Sequence, residues 1–436
     1  MSARAPLSRE EIVRLDRAHV WHPYTPIATW EKTDPIVVAR AEGSLLWDAD
    51  GTRYIDGNAS WWVAALGHRH PRLLRALREQ AEILDHCALG GIAHEPSSRL
   101  ARALVEVAPR GLSHVFYTDN GSTAIEVAVK IALQTWQHEG ARARKKTRFI
   151  ALDGAFHGDT VGASSLGGVE IFRRPFASVL FECVRAPFPE ANAYARAFDA
   201  IRDVVRRERD TIAAVVVEPL VQGASGMRIY PAEYLRALSE LTRENDVLLI
   251  ADEVFTGYGR TGAMWACDHA GVTPDLMCIG KAFSSVVPMG ATLATDRVYD
   301  SFRGDPARAL WYGHTFCGNP LGAALALEVL AIYEDEGIVA QAKAKGARIA
   351  EAFARLAEVS GVSGVRALGM IGAADLGAGG YAGDRGWRVF DEARKRGAYL
   401  RPLGDTVYVC PPLTIGEAEL DELLEILAAS VRATLT

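Results

Sequence analysis

The chain lacks the marks of a small secreted or metal-stapled fold. Its six cysteines (Cys87, Cys183, Cys267, Cys278, Cys317, Cys410) are scattered over 436 residues without a CxxC pair. They therefore indicate neither a metal site nor a disulfide framework, and are expected to pack as small buried apolar groups. No apolar run approaches the roughly 18 residues of a membrane span, and the opening MSARAPLSREEIVRLD has no apolar h-region. On this reading no membrane is a partner and the protein is expected to be cytoplasmic. Lysine and arginine form no sustained block, and 48 basic against 54 acidic side chains leave a net charge of −6. That balance argues against nucleic acid or an anionic lipid surface as a general partner.

What is present is apolar sequence, 49% of residues, with 23% charged. This is the composition of a globular protein of two or three units, at about 150 residues each, large enough to exclude water from a site. No repeat or low-complexity linker divides it. The opening, to residue 60, reads as a short helix, the turn-rich WHPYTPIATW and a hairpin turning at Asp48-Ala49-Asp50-Gly51. Short apolar runs then alternate with helical stretches: HVFYTD (114–119), an amphipathic helix over 122–137, RFIALD (148–153), AAVVVEP (213–219), VLLIADE (247–253) and DLMCIGK (275–281). Such a pattern predicts an α/β domain with a parallel sheet covered on both faces. From residue 325 a long stretch reads as helix, followed by strand candidates RALGMIGAADL and TVYVCPPL, which predicts a smaller α+β domain. The expected division is 1–60, 61–325 and 326–436.

Ligands of open α/β sheets sit at the carboxyl ends of strands. VLLIADE ends in Asp252 and Glu253, a pattern that by itself describes a solvated strand end. DLMCIGK ends in Lys281, 29 residues after Asp252, the length of one loop-helix-strand unit. An amine and a carboxylate emerging at one sheet edge are the minimum equipment of a pyridoxal phosphate site: the lysine bonds the cofactor and the carboxylate keeps the ring nitrogen protonated. Asn120-Gly121-Ser122-Thr123, between a strand and a helix, is an ordinary cap taken alone and a phosphate site beside these groups. Phe156, after RFIALD, could cover a planar ring. Two patterns compete. Gly257–Gly262 satisfies G-x-G-x-x-G, but Gly271 and Pro274 break the helix that a dinucleotide site needs, so a nicotinamide dehydrogenase is disfavoured. Gly280-Lys281 is no P-loop, because Asp275 and Ala282 occupy its first-glycine and Ser/Thr positions.

LLIADEVFTGYGRTGAMWACDHAGVTPDLMCIGKAF resembles the signature of the class III pyridoxal phosphate-dependent aminotransferases of fold type I, and the similarity runs from about residue 20 to the C-terminus. WHPYTP (21–26), SWWVAALGHRHP, DNGSTAIEVAVKIALQTW, FHGDT, EPLVQGASGM and RPLGDTVYVCPP narrow it to members that pass the amino group of S-adenosylmethionine to 8-amino-7-oxononanoate, forming 7,8-diaminononanoate for biotin. The resemblance implies pyridoxal 5′-phosphate as cofactor, Lys281 as the residue that carries it, Asp252 at the ring nitrogen, Gly121 and Ser122 at the phosphate, and Phe156 and Val254 on the ring faces. It implies a homodimer with shared sites, in which Gly313, His314 and Thr315 reach the neighbour's cofactor. The resemblance makes Tyr24 a catalytic residue beside Lys281 and Asp252; Tyr24, Trp61 and Trp62 match substrate-recognition aromatics, Phe156, Lys281 and Gly313 are implied to touch substrate as well, and Arg401 matches the arginine for the substrate carboxylate. Phe156 departs from the usual tyrosine, keeping the stacking and losing the hydroxyl; His314 stands where some members have proline. Lysine as donor, and another ω-aminotransferase activity, remain alternatives. Glu218 and Arg260 lie in family motifs as either substrate contacts or a structural ion pair.

Overall fold

The computed structural model describes residues 7–141 and 143–436. A seven-stranded sheet forms its centre, in the spatial order Leu112–Thr118, Gly290–Thr295, Leu276–Ile279, Leu248–Asp252, Ile212–Val217, Arg148–Leu152, Cys183–Ala186. Every residue of Ile212–Val217 and of Leu248–Asp252 is buried, as expected of apolar runs covered on both faces. The sheet is not wholly parallel. Gly290–Thr295 runs antiparallel to both its neighbours. Its sequence, GATLAT, has too few large apolar side chains to read as a buried strand, and those small residues let the backbone pack closely: a Cβ at Gly290 would lie 2.4 Å from the Asn120 carbonyl oxygen.

Two smaller sheets flank this centre. Val38–Glu42, Leu45–Asp48 and Arg53–Asp56 form an antiparallel meander whose last strand pairs in parallel with Ala398–Tyr399, Tyr399 opposite Asp56. The expected hairpin turn is present, held by Asp48 Oδ1, which accepts the N–H groups of Asp50 and Thr52. The second sheet is Ser363–Leu368, Ile371–Asp375 and Thr406–Val409, all antiparallel. RALGMIGAADL is thus the turn and parts of two strands, because Gly369, at φ +54°, reverses the chain within it. The long helical stretch likewise divides into Pro320–Asp335 and Ile338–Leu356 at Gly337, φ +61°. All six cysteines are free, but only Cys267, Cys278 and Cys410 are buried; Cys87, Cys183 and Cys317 are half-buried. Among the described residues no helix is long and apolar enough to cross a membrane.

Helix Gly121–His138 packs on the sheet through nine buried residues. Trp136, wholly buried, donates its indole N–H to the Ala213 carbonyl at 2.9 Å. That bond fixes the helix against the sheet and so fixes where the helix begins. Trp136→Phe should cost about 1–3 kcal/mol by leaving a buried carbonyl unpaired, read as a lower urea midpoint with unchanged slope; an unchanged midpoint would show that the bond does not anchor the helix.

Candidate active site

Asp252 and Lys281 emerge together because their strands are parallel neighbours, with Asp252 opposite Cys278. Asp252 is buried, not solvated. Its Oδ1 accepts the Val254 N–H at 3.1 Å and its Oδ2 lies 2.8 Å from His157 Nδ1. A carboxylate can only accept, so the imidazole donates there; its other nitrogen, Nε2, is buried without a partner among the described residues. Lys281 has φ +49°, a strained conformation for a residue with a side chain. Its Nζ lies 5.1 Å from the centre of the Trp62 ring. Burial pushes the Lys281 ammonium below the ordinary lysine pKa, while the charges of Asp252 and Glu218 oppose that shift. Glu253, the second carboxylate of the strand end, is also buried and turns away to accept the N–H groups of Ala266 and Cys267, at 3.1 and 2.8 Å, at the start of helix Ala266–Ala270. That helix has only five residues, so Gly257–Gly262 opens no dinucleotide-type helix.

Asn120 caps helix Gly121–His138 reciprocally: its Oδ1 accepts the Thr123 N–H at 3.0 Å and its own N–H reaches Thr123 Oγ1 at 3.2 Å. The N–H groups of Gly121 and Ser122 remain at the positive end of the helix dipole. Glycine is required at 121, since a Cβ there would lie 2.5 Å from Val254 Cγ1. The Ser122 hydroxyl is 2.8 Å from that of Thr160 and accepts the Thr160 N–H at 3.0 Å. Gly121, Ser122, Phe156, Asp252, Val254 and Lys281 line one cavity of about 750 Å³.

A second cavity of about 400 Å³ shares Trp62, Phe156 and Lys281 with the first and adds Tyr24, Trp61 and Phe172. The Tyr24 hydroxyl donates to Asp159 Oδ2 at 2.5 Å. Burial, reinforced by Asp159, raises the Tyr24 phenol above its ordinary pKa, so it stays a neutral donor. Phe172 meets Tyr24, Phe156 and Tyr381 edge-to-face, with centroids 5.1, 5.8 and 4.8 Å apart. Arg401 does not line the cavities of Lys281. It lies in an adjoining cavity of about 530 Å³, behind Trp61, with its guanidinium 4.9 Å from the Trp61 ring centre. Gly313, His314 and Thr315 line none of these three cavities; His314 Nε2 is 3.6 Å from Asp119, which edges the first.

Glu218 is buried in the wall of the first cavity, where its carboxyl accepts the N–H groups of Phe156 at 3.0 Å and Gly223 at 2.9 Å. Arg260 is not its ion-pair partner: Arg260 Nη1 donates to the Pro411 carbonyl at 2.7 Å. His157 and Asp159 both lie in the FHGDT motif, but the motif alone assigns neither a partner. Phe172 and Tyr381 carry no sequence signal, since each sits in a short, unpatterned turn of chain.

Fold and site together define a fold type I pyridoxal phosphate-dependent transferase. The family model for class III aminotransferases matches residues 27–431, and the chain belongs to that family. An adenosylmethionine-8-amino-7-oxononanoate aminotransferase of Geobacter sulfurreducens is 40% identical over 442 residues, covering 95% of this chain and 96% of the relative. The crystal structure of an enzyme of that name from Methanocaldococcus jannaschii matches with a TM-score of 0.93 at 32% identity, over 98% of this chain and 99% of that one. An omega transaminase of Pseudomonas jessenii, solved in complex with PMP, matches with a TM-score of 0.91 at 30% identity, over 97% and 98% of the two chains.

Burial pushes the Glu218 and Glu253 carboxyls up to about 7 each. A solvated glutamate ionises near 4.3, so folding takes up protons between these values; the stability gained is whole below the lower one and is lost as pH rises through the upper. The thermal midpoint of the cofactor-free protein should therefore fall between about pH 4.5 and 7, and Glu218→Gln should flatten the slope. A midpoint that climbs across this window would contradict the assignment.

Proposed function

We propose that this chain transfers the amino group of S-adenosylmethionine to 8-amino-7-oxononanoate, giving 7,8-diaminononanoate in biotin biosynthesis. The observation that carries this reading is the aromatic vestibule of Tyr24, Trp61, Trp62 and Phe172 opening directly on Lys281, with a carboxylate, Asp159, in its wall. Apolar and aromatic walls suit a nine-carbon aliphatic chain and an adenine ring, and aromatic faces beside a carboxylate suit a sulfonium. The names carried by the relatives support the same substrates.

The residues of the larger cavity fit pyridoxal phosphate. Gly121 approaches Val254 closely at the helix N-terminus, where a phosphate would meet free N–H groups, Phe156 and Val254 would cover the two ring faces, and the fixed carboxylate of Asp252 would accept the ring N–H. When bound, the cofactor supplies an electron-accepting ring that stabilises negative charge on the carbon bearing the amino group. Lys281 would hold it covalently through its amine. Burial favours the neutral form of that amine, so Lys281 would take the proton from the donor's α-carbon and deliver it to the cofactor carbon that bears the transferred nitrogen. In the second half of the cycle it moves protons in the opposite sense on the acceptor. Trp62, packed against Phe255 with centroids 4.6 Å apart, closes the site beside Lys281 Nζ and keeps water from it. Arg401 receives the acceptor's carboxylate from behind Trp61. His157 holds Asp252, and Glu218 holds the backbone of Phe156, as positioning residues.

The reading includes a homodimer. Trp311 and Phe316, 79% and 56% exposed, bracket Gly313–Thr315 on a single chain, an apolar surface that a second copy would cover while supplying those residues to the neighbouring phosphate. Residues 1–60, 61–325 and 326–436 are the proposed units, with helix Pro320–Asp335 crossing the second boundary; Tyr24 and Ser60 of the first and Tyr381 and Leu403 of the last close the substrate vestibule over the middle one.

Lys281→Ala should abolish turnover and the borohydride-reducible yellow chromophore; a variant that still cycles would overturn the assignment. Asp252→Asn should retain some cofactor yet lose most activity, whereas near-normal rates would exclude its role at the ring nitrogen. Arg401→Ala should raise the apparent KM for the keto substrate at least tenfold while leaving the donor half-reaction within about twofold. Mixing the purified protein separately with S-adenosylmethionine and with lysine, and following the loss of chromophore, identifies the donor; bleaching by lysine alone would refute S-adenosylmethionine.

A further inference from the structure

Four consecutive residues, Ala59, Ser60, Trp61 and Trp62, have φ of +46°, +45°, +64° and +74°, and none is glycine. A left-handed conformation is unfavourable by roughly 1–2 kcal/mol for each residue with a Cβ, so a whole turn of it persists only where its surroundings hold it. Tyr408 accepts the Trp62 indole N–H at 3.1 Å, and the side-chain support at the start of the turn is one carboxylate. Asp56 is fully buried. Its Oδ2 accepts the Ser60 hydroxyl at 2.9 Å and lies 2.9 Å from His68 Nε2, while its Oδ1 accepts the Asn58 N–H at 3.3 Å. Asn58 extends the support in both directions: its backbone carbonyl accepts the Trp62 N–H at 2.9 Å, and its side-chain Oδ1 accepts the Arg401 N–H at 2.6 Å. His68 is itself tied to the N-terminal meander through paired backbone bonds with Gly43, at 2.7 and 3.0 Å.

We propose that Asp56 is a positioning residue for substrate binding: it holds the left-handed turn 59–62 that aims Trp61 and Trp62 into the site and, through Asn58, sets the backbone of Arg401. The proposal rests on the reading that these three side chains meet substrate. Asp56 touches neither substrate nor cofactor; its effect passes through the turn. A long-chain keto acid spans both Trp61 and Arg401, so displacement of the turn weakens its binding more than that of the donor.

The test uses the holoenzyme and the variants Asp56→Asn, Ala59→Gly and the double variant. Asp56→Asn should keep the cofactor chromophore and raise the KM for the keto substrate at least tenfold, with kcat changed less than threefold, and alter the tryptophan near-ultraviolet circular dichroism without substrate present. Glycine adopts left-handed φ freely, so Ala59→Gly alone should match wild type, and in the Asp56→Asn background it should recover at least half of the lost KM and the dichroism. A loss confined to thermal stability, or a KM that glycine does not recover, overturns the proposal. If Asp56→Asn does not fold, Ser60→Val, which disfavours left-handed backbone and removes the hydroxyl, should raise KM in the same way, and an unchanged KM there overturns it. The dichroism reads the turn independently of substrate identity, so an altered spectrum with no response to 8-amino-7-oxononanoate would count against the substrate reading and not against the turn.

Discussion

An amine taken out of water stays useful only if its surroundings answer its charge, and the placement of Lys281 is the constraint on which the rest of the structure turns. Burial lowers its pKa, and two carboxylates, Asp252 and Glu218, oppose that shift. These carboxylates are themselves buried and must be held in turn. Asp252 is bonded at both oxygens, by His157 and the Val254 N–H; Glu218 is bonded by the N–H groups of Phe156 and Gly223. The same bonds fix Phe156 and Val254 in the wall of the cavity. Charge compensation and the shape of the cavity wall are therefore one arrangement.

Strain collects at the same place. Tyr24, Ser60, Trp61, Trp62 and Lys281 all have positive φ and all line the vestibule. A side chain held in an unfavourable backbone well is aimed by the structure around it, not by its own preference. The holding groups come from remote parts of the chain: Asp56 from the N-terminal meander, Tyr408 at 3.1 Å from the Trp62 indole, and the backbone of Arg401 on Asn58. Parallel pairing of Tyr399 with Asp56 brings these ends together. This explains how a site on the central sheet comes to depend on segments more than three hundred residues apart.

The legible part of this protein was the part whose chemistry and packing speak in one direction. Lys281 and Asp252 stand at the ends of fully buried parallel strands, so apolar runs, reactive termini and spacing agreed. The helix at Gly121 was legible because a cap and a long amphipathic period adjoin. The antiparallel strand Gly290–Thr295 was hidden by its small residues, and the hairpin at Gly369 by an unbroken apolar run across its turn. Asp56 and His68 look in sequence like ordinary polar residues near a turn, and only their shared contact reveals what they hold. Sequence places Arg401 in one substrate pocket with the aromatics, whereas in the structure it lies in a separate cavity across Trp61, a relation that no local pattern encodes.

The phenylalanine at 156 sharpens the polar character of the vestibule. With no hydroxyl at that position, Phe156 contributes its ring to the cofactor cavity and an edge-to-face contact to Phe172, while Tyr24 keeps Asp159 for itself. Burial and Asp159 hold the Tyr24 phenol neutral at working pH, and its proton is committed to that exposed carboxylate at the vestibule wall. On the proposed reading, the acceptor's chain-end carboxylate meets Arg401 behind Trp61. A cation gains both the carboxylate and the aromatic faces. On that reading, the donor's sulfonium and the acceptor's chain-end carboxylate are received on opposite sides of Trp61, while the reacting end of each meets Lys281.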